Sequence, residues 1–543
     1  MNKKILIAFF LLVAIKIALA FLMPVPLGFS DSLTHIDGAK AFFENPGIES
    51  SIITAKYTVY PIVTSFAFLV DNMRFVLLII LILNAFLSSL ILFPAYWFAK
   101  EFMKDNDASS TAILIGILPI TFPYTIYILS ENIYLPLILL TMYFLYKALH
   151  HETIGWHILT GVACALAFLT KTQGLFIILT ASILSSIAIA KSRTWKVVRN
   201  KVIFISTCFV VLLPWIIAKG NKYGWSLRGM LGYSNEVHIA STNIWTKIIW
   251  VVAYTDYLLI GSSILFFAII VMLTFRYRTL DNRIKIAVEM TVISTILLIF
   301  IAANNASFFE HFTDHRIIGR YVEPVIPLII LLGIANLQTR ISIRTKIGTL
   351  LALALFTPIM LLKDYFPINN MSWTHIGVLK YGLNSIGSPF TSLIITTIVL
   401  ALAALIFWKI PQTIKKIILL SMLFFGAVTV LNVAIILYDS NYRWAPLEEV
   451  ELGKWIDNNI DKNATFLLDI DDNPPQTMED FKDKTRISSD NDDQPSWLIA
   501  YWIRGNYAFD TVENYTKYDY IITTKDLDLK KVKTGETINI YQV

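Results

Sequence analysis

The sequence predicts an α-helical polytopic membrane protein of about thirteen transmembrane helices, followed by a small C-terminal α/β domain. Hydrophobic residues make up 56% of the chain and charged residues only 15%, where a soluble globular protein carries nearer ~25% charge. Apolar runs of near-spanning length recur from the N-terminus to about residue 438. From Ser440 onward the character changes: twelve Lys/Arg stand against twenty Asp/Glu, a net −8, so residues 1–439 carry +14. We therefore divide the chain into a membrane part, 1–439, and a soluble tail, 440–543.

The first element carries Lys3 and Lys4, an apolar run, and Ala18-Leu19-Ala20, which together look like a cleavable signal peptide. The apolar stretch continues through Met23, long enough to span, and favours a retained helix. Lys16 sits inside it and faces the helix bundle or snorkels. Further spans are expected near 75–98, 109–123, 131–147, 155–170, 174–190, 202–218, 250–274, 285–302, 322–338, 347–362, 389–408 and 417–438. Pro119, Pro123 and Pro136 blur the edges of the third and fourth.

Basic residues alternate with this count. Lys3-Lys4, Lys100/Lys104, Lys147, the Lys191–Lys201 cluster, Arg276/Arg278/Arg283, Arg340/Arg344/Lys346 and Lys409/Lys415/Lys416 fall on one side. The positive-inside rule makes that side cytoplasmic. The N-terminus is then inside and the tail outside, in a multi-pass protein of the cell (plasma) membrane. The long loops 24–74, 219–249, 303–321 and 363–388 are outer. Loop 24–74 is itself structured: Ser32–Phe43 reads as a helix, and Pro61–Val70 as an interfacial or re-entrant segment too short to span. In the tail, Leu447–Asn458 reads as a helix, and Ala464–Ile470, Tyr518–Thr523 and Thr537–Val543 as strands.

Basic loops on a membrane domain indicate anionic lipid contact and not nucleic acid. Cys164 and Cys208 both lie in apolar runs and read as core residues. No phosphate loop, Walker motif or dinucleotide fingerprint is present, which disfavours a nucleotide-sugar or ATP enzyme.

Candidate chemistry gathers at the outer ends of helices. Asp31, just past the first span, can act as general base on an incoming hydroxyl or, with Ser32, cap the next helix; His35 and Asp37 follow on the same segment. Glu131 opens the fourth span, where a helix N-terminus favours an acid. Lys171 is the only charge in a tight hairpin, Thr170–Gly174, at lipid-phosphate depth. The densest cluster runs from Glu310 to Tyr321 and contains His311, His315, Arg316, Arg320 and Tyr321. His311 and His315 have the spacing of a helical zinc pair, but Phe312 stands where a zincin needs Glu, so that protease reading fails. Glu236 and Asp256 are reserve acids. The sequons at Asn305, Asn370, Asn463 and Asn514 all fall on the expected outer side.

Asp31 with His35 and Ala39 resembles a first-loop aspartate motif, and Ser130-Glu131-Asn132 through Leu137 resembles a Ser-Glu segment. The stretch from Gly161 to Gly174, with Leu169-Thr170-Lys171, resembles a Leu-Thr-Lys hairpin. Gly319-Arg320-Tyr321 before Pro324 and Pro327 resembles an Arg-Tyr-x-x-Pro segment. In this order the four resemble the GT-C membrane glycosyltransferases, the polyprenyl-phosphate-sugar-dependent group that includes protein mannosyltransferases, aminoarabinose transferases of lipid A and oligosaccharyltransferases. The resemblance spans nearly the whole chain.

It implies an inverting transfer from a polyprenyl- or dolichyl-phosphate-linked sugar to a protein, lipid or glycan acceptor at the outer face of the membrane. Asp31 and Glu131 would be catalytic. Lys171, Arg316, Arg320 and Tyr321 would bind the donor phosphate, with His35, Asp37, Glu236 and His315 as accessories. Ser32 stands where the family usually has a second acid, which leaves a divalent metal open; no other cofactor is implied. The Trp-Trp-Asp motif of oligosaccharyltransferases is absent, which argues against en bloc transfer to asparagine. The alternatives are a polytopic secondary transporter and a non-catalytic flippase or assembly subunit. Against the transporter, Lys16 is the only clear mid-span charge, and the acids cluster at one face.

Overall fold

The computed structural model describes residues 2–27, 30–47, 58–226, 244–309, 317–337, 414–470, 495–509 and 512–543. The expected spans 347–362 and 389–408 and the residues Glu236, His315 and Arg316 lie outside the described residues.

The described chain is mostly helical. It begins with α1 (Lys3–Phe21), α2 (Ser30–Glu44), α3 (Val59–Thr64) and a 3-10 turn, Ser65–Leu69. It continues with α4 (Met73–Ser89), α5 (Leu92–Lys100), α6 (Asp105–Gly116), α7 (Glu131–His151), α8 (Ile154–Thr170), α9 (Leu175–Ser192) and α10 (Trp195–Tyr223). Then come α11 (Ile244–Gly261), α12 (Ile264–Phe275), α13 (Asn282–Phe309), α14 (Ile326–Ala335) and α15 (Ile414–Asp439). Among the described residues, eight helical stretches are long and apolar enough to cross a membrane, and four shorter apolar helices accompany them.

The bundle's surface is itself apolar: Phe10, Phe75, Val210, Phe300 and Leu423 are all well exposed. Water would penalise such a surface, whereas lipid does not. Helices pack as α1 on α4, α5 on α6, α7 and α10 on α8, and α11 on α13.

Two expected spans differ in detail. The span at 109–123 ends early: α6 stops at Gly116, and residues 117–130 continue as a buried, irregular segment with a 3-10 turn at Pro123–Ile126. Pro119 and Pro123 cannot continue the helical hydrogen-bond ladder. The freed polar groups are met locally, because Thr121 Oγ1 donates to Ile115 O (3.0 Å) and Leu118 O (3.0 Å). The span at 250–274 is two helices, α11 and α12, separated at Ser262-Ser263, where Ser263 takes a positive φ of 59°.

Lys16 faces the bundle, as one of the two sequence readings has it. It is fully buried, donates to Ser88 Oγ at 2.8 Å and lies 5.3 Å from the Phe122 ring centroid. The Pro61–Val70 segment presents Phe66 and Leu69 outward, at 65% and 72% exposure, as a membrane-surface segment would.

The tail carries α16 (Glu448–Asn459), α17 (Pro495–Trp502) and five strands: β1 (Thr465–Asp469), β2 (Asn506–Phe509), β3 (Tyr520–Thr523), β4 (Lys530–Thr534) and β5 (Asn539–Gln542). The sheet order is β2-β1-β3-β5-β4, with β1 parallel to β2 and β3, and β5 antiparallel to β3 and β4. The three expected strands are β1, β3 and β5, the central ones, whose apolar residues are buried. The edge strands β2 and β4 lack that signal: β4 reads Lys-Lys-Val-Lys-Thr, a charged edge of the kind that resists further pairing.

This sheet docks on the first loop. Lys40 Nζ donates to Gly505 O at 2.6 Å, and Arg504 donates to Phe68 O at 2.9 Å and to Val70 O. Asp457 Oδ2 accepts from the Met73 backbone N–H at 2.9 Å, at the start of α4.

Candidate active site at the head of α7

Four segments far apart in sequence meet around Glu131. The irregular chain that leads into α7 is held by Asn132, whose side-chain amide donates to Tyr124 O (2.8 Å), Leu129 O (3.0 Å) and Tyr127 O (3.2 Å). Asn84 of α4 donates to Tyr127 O at 2.8 Å and accepts from Tyr60 Oη at 2.9 Å. Glu131 is thereby fixed as the first residue of α7, 2% exposed, where the helix's free N–H groups favour a negative charge.

The α8–α9 hairpin supplies Lys171. It leaves α8 in an extended conformation (φ −156°) and its carbonyl accepts from Gly174 N–H at 2.7 Å. Gly174 is required by proximity, because a Cβ there would lie 2.6 Å from the Ala167 carbonyl. Lys171 Nζ donates to Glu131 Oε1 and lies 5.9 Å and 5.8 Å from the ring centroids of Tyr134 and Tyr321. Lysine and acid are both buried, and such ions persist only when paired.

The third contribution is the turn Gly319–Tyr321. Gln173 donates to Tyr321 O and so joins the hairpin to this turn. Gly319 packs against Tyr257 so closely that a Cβ would come within 2.1 Å of its hydroxyl oxygen. Arg320, 8% exposed, places Nη1 4.0 Å from Glu131 Oε1. Next along the chain, Glu323 is buried and accepts from Tyr124 Oη and Tyr257 Oη, each at 2.6 Å.

The first loop closes the arrangement. Ser32 Oγ donates to Ile128 O at 3.2 Å, which sets the first turn of α2 beside the chain entering Glu131. Thr58 N–H donates to Leu169 O at 3.0 Å, two residues before Lys171. Asp31 belongs to that first turn of α2.

The structure thus gathers Glu131, Lys171, Arg320 and Tyr321 and sets the Asp31 turn near them. His35 is buried, with its ring 4.9 Å from Tyr60 in an edge-on arrangement. Asp37 turns to the tail, accepting from Tyr507 Oη at 2.8 Å and 3.0 Å on its two oxygens. Burial pushes its carboxyl up to about 6, against the Tyr507 hydroxyl and Lys40, which pull it down. Asp256 is buried on α11, and among the described residues neither of its oxygens has a hydrogen-bond partner.

The backbone at Ile318 is not helical (φ −92°, ψ 84°), and the turn that carries Arg320 begins at Gly319. The sequence carries no signal that Glu323 would be held by two tyrosines from distant segments. Among the described residues no three His, Cys, Asp or Glu side chains gather as a metal site.

These features define a class: the chain is a multi-pass membrane protein with the fold of the GT-C glycosyltransferases. The profile of the dolichyl-phosphate-mannose-protein mannosyltransferase family matches residues 71–223, which contain Glu131 and Lys171. ArnT from Cupriavidus metallidurans, in its undecaprenyl-phosphate-bound crystal structure, is similar at TM-score 0.58 and 14% identity, covering 98% of this chain and 97% of that one. Its apo structure matches at TM-score 0.57 with the same identity and coverage. The arabinosyltransferase EmbB from Mycobacterium smegmatis matches at TM-score 0.46 and 10% identity, over 80% of this chain and 41% of that one. No curated protein is similar enough in sequence to match.

Proposed function

We propose that this protein transfers a sugar from a polyprenyl-phosphate-linked donor to a hydroxyl acceptor at the extracytoplasmic face of the membrane, with inversion at the anomeric carbon. The observation that carries the reading is the convergence of Lys171 and Arg320 on Glu131 at one end of the bundle, within a fold shared with a structure that holds undecaprenyl phosphate. The family profile over 71–223 supports a lipid-linked sugar as donor.

In this reading the acceptor oxygen attacks the anomeric carbon as Asp31 takes its proton. The bond from that carbon to the phosphate oxygen breaks, and its electron pair leaves on the phosphate. Lys171 and Arg320 meet the charge gathering there, and Arg320 can do so with two parallel N–H donors. Glu131 keeps both cations aimed and charged before the donor arrives. Tyr321 walls the lysine, and His35 supports the turn that carries Asp31. Arg316, His315 and Glu236 belong to the loops expected at this face. The basic-loop alternation supports a cytoplasmic N-terminus and an extracytoplasmic tail, so the division at residue 439 separates a catalytic membrane part from a soluble domain. The partners are then the lipid-linked donor, membrane lipids and a protein, lipid or glycan acceptor.

The test is turnover by the purified full chain in lipid nanodiscs, supplied with radiolabelled polyprenyl-phosphate sugars and a hydroxyl acceptor. Transfer with release of polyprenyl phosphate is expected. Movement of intact donor across a vesicle bilayer without bond cleavage would replace the reading with that of a flippase.

A further inference from the structure

A second cavity, of about 430 Å³, lies where the tail meets the membrane helices, apart from the Glu131 site. Pro24, just after α1, and Arg74, in the first turn of α4, line one side; Lys454, Asp457, Asn458 and Trp502 of the tail line the other. Its size is that of a small-ligand pocket. Both membrane helices terminate here, so the cavity stands at the level of lipid headgroups if they span as their length and composition allow.

Its polar groups are incompletely used. Lys454 has no hydrogen-bond acceptor among the described residues; its Nζ lies 5.7 Å from the Trp502 ring centroid, and burial, with Arg74 nearby, lowers its proton affinity against the opposing pull of Glu451, which does not line the cavity. Arg74 gives one N–H to Met23 O, which leaves the rest of its fork uncommitted. Trp502 is 1% exposed, yet among the described residues its indole N–H finds no partner, and Asp457, 8% exposed, has a partner there for Oδ2 but none for Oδ1. Buried polar groups are rarely left so, and each one calls for a missing partner.

We propose that this cavity binds a phosphate group, held by Arg74, Lys454 and the Trp502 N–H, with Asp457 Oδ1 accepting from a hydroxyl or amine beside it. Two cations against one acid suit an anion, and the spare acceptor suits a donor-bearing neighbour. The phosphate can come from a lipid headgroup or from solution. The site is independent of the transfer reaction proposed above.

The experiment uses the full chain in detergent, measuring bound lipid by native mass spectrometry and thermal stability in parallel. The probes are phosphatidylglycerol, phosphatidylcholine and inorganic phosphate. Phosphatidylglycerol is expected to bind more tightly than phosphatidylcholine, and Arg74→Gln and Lys454→Gln each to weaken it about tenfold or more, the loss of one charged hydrogen bond. Lys517→Gln, on the exposed tail, should bind as wild type. Stabilisation by millimolar inorganic phosphate that both variants lose identifies a soluble anion in place of a lipid. Arg74→Gln also loses its bond to Met23, so Lys454→Gln decides. If that variant keeps wild-type stability and wild-type response to both phosphate probes, the proposal is overturned.

Discussion

Lys171 Nζ is hydrogen-bonded to Glu131 Oε1 across the ends of two different helices, forty residues apart in sequence and both shielded from solvent. The pair acts as the hub of the site, since Arg320 reaches the same carboxylate oxygen from a third segment.

Removing Glu131 takes from Lys171 and Arg320 the carboxylate they share, and removing Lys171 leaves Glu131 only the more distant Arg320; losing a buried ion-pair partner typically costs about 3–5 kcal/mol. Glu131→Gln and Lys171→Met are therefore each expected to lower the melting temperature markedly. The double variant should lose less stability than the sum of the two single losses, while Arg320 still lacks its acid, and should remain without transfer activity. A double-mutant cycle on stability, read beside turnover, checks both halves. Additive losses would show that the two residues do not act as a pair.

Asp31→Asn keeps size and hydrogen-bonding capacity but removes basicity. Turnover is expected to fall by about 10²–10⁴-fold with little change in stability. Near-normal turnover in the folded variant would reduce Asp31 to a helix cap and move the search for a base to Asp256 or Glu236.

Arg320→Lys keeps the charge and loses the two-pronged geometry. Donor affinity and turnover should both drop, by about tenfold or more, because one charged hydrogen bond to phosphate is lost. Measured per folded molecule in nanodiscs, unchanged donor binding would leave Arg320 a purely structural partner of Glu131.

Asp37 gives a pH signature. Its folded-state carboxyl titrates near 6, above its ordinary value of 3.8. The stabilising contribution is thus full below about pH 4 and is lost as pH rises through 6. Asp37→Asn should flatten this part of the stability profile, an effect of about 3 kcal/mol. Thermal unfolding from pH 4 to 7 measures it, and a wild-type profile equally flat would remove the contribution.

The orientation is checked by single cysteines at Ser192 and Ser489 in a chain lacking Cys164 and Cys208. An impermeant thiol reagent applied to intact cells should label Ser489→Cys and spare Ser192→Cys. The opposite pattern would invert the topology.

Hydropathy by itself located α1, α4, α7 to α10, α13 and α15, because each must satisfy its backbone internally and show lipid an apolar surface. It also marked Glu131, Lys171 and Arg320 as charges beside helix ends, since a charge near hydrocarbon stands out in any window of sequence. What hydropathy could not supply was rotation and partnership. A helix that is apolar all round carries little signal of which face meets which neighbour.

The joining of Lys171 to Glu131, of Glu323 to Tyr124 (199 residues apart) and of Lys40 to Gly505 (465 residues apart) was decided by packing alone. So was the irregular course of residues 117–130. Pro119 and Pro123 announce a break in the helix there, but neighbours such as Asn84 and Asn132 help make the broken backbone affordable inside a membrane bundle, by adding donors to its carbonyls.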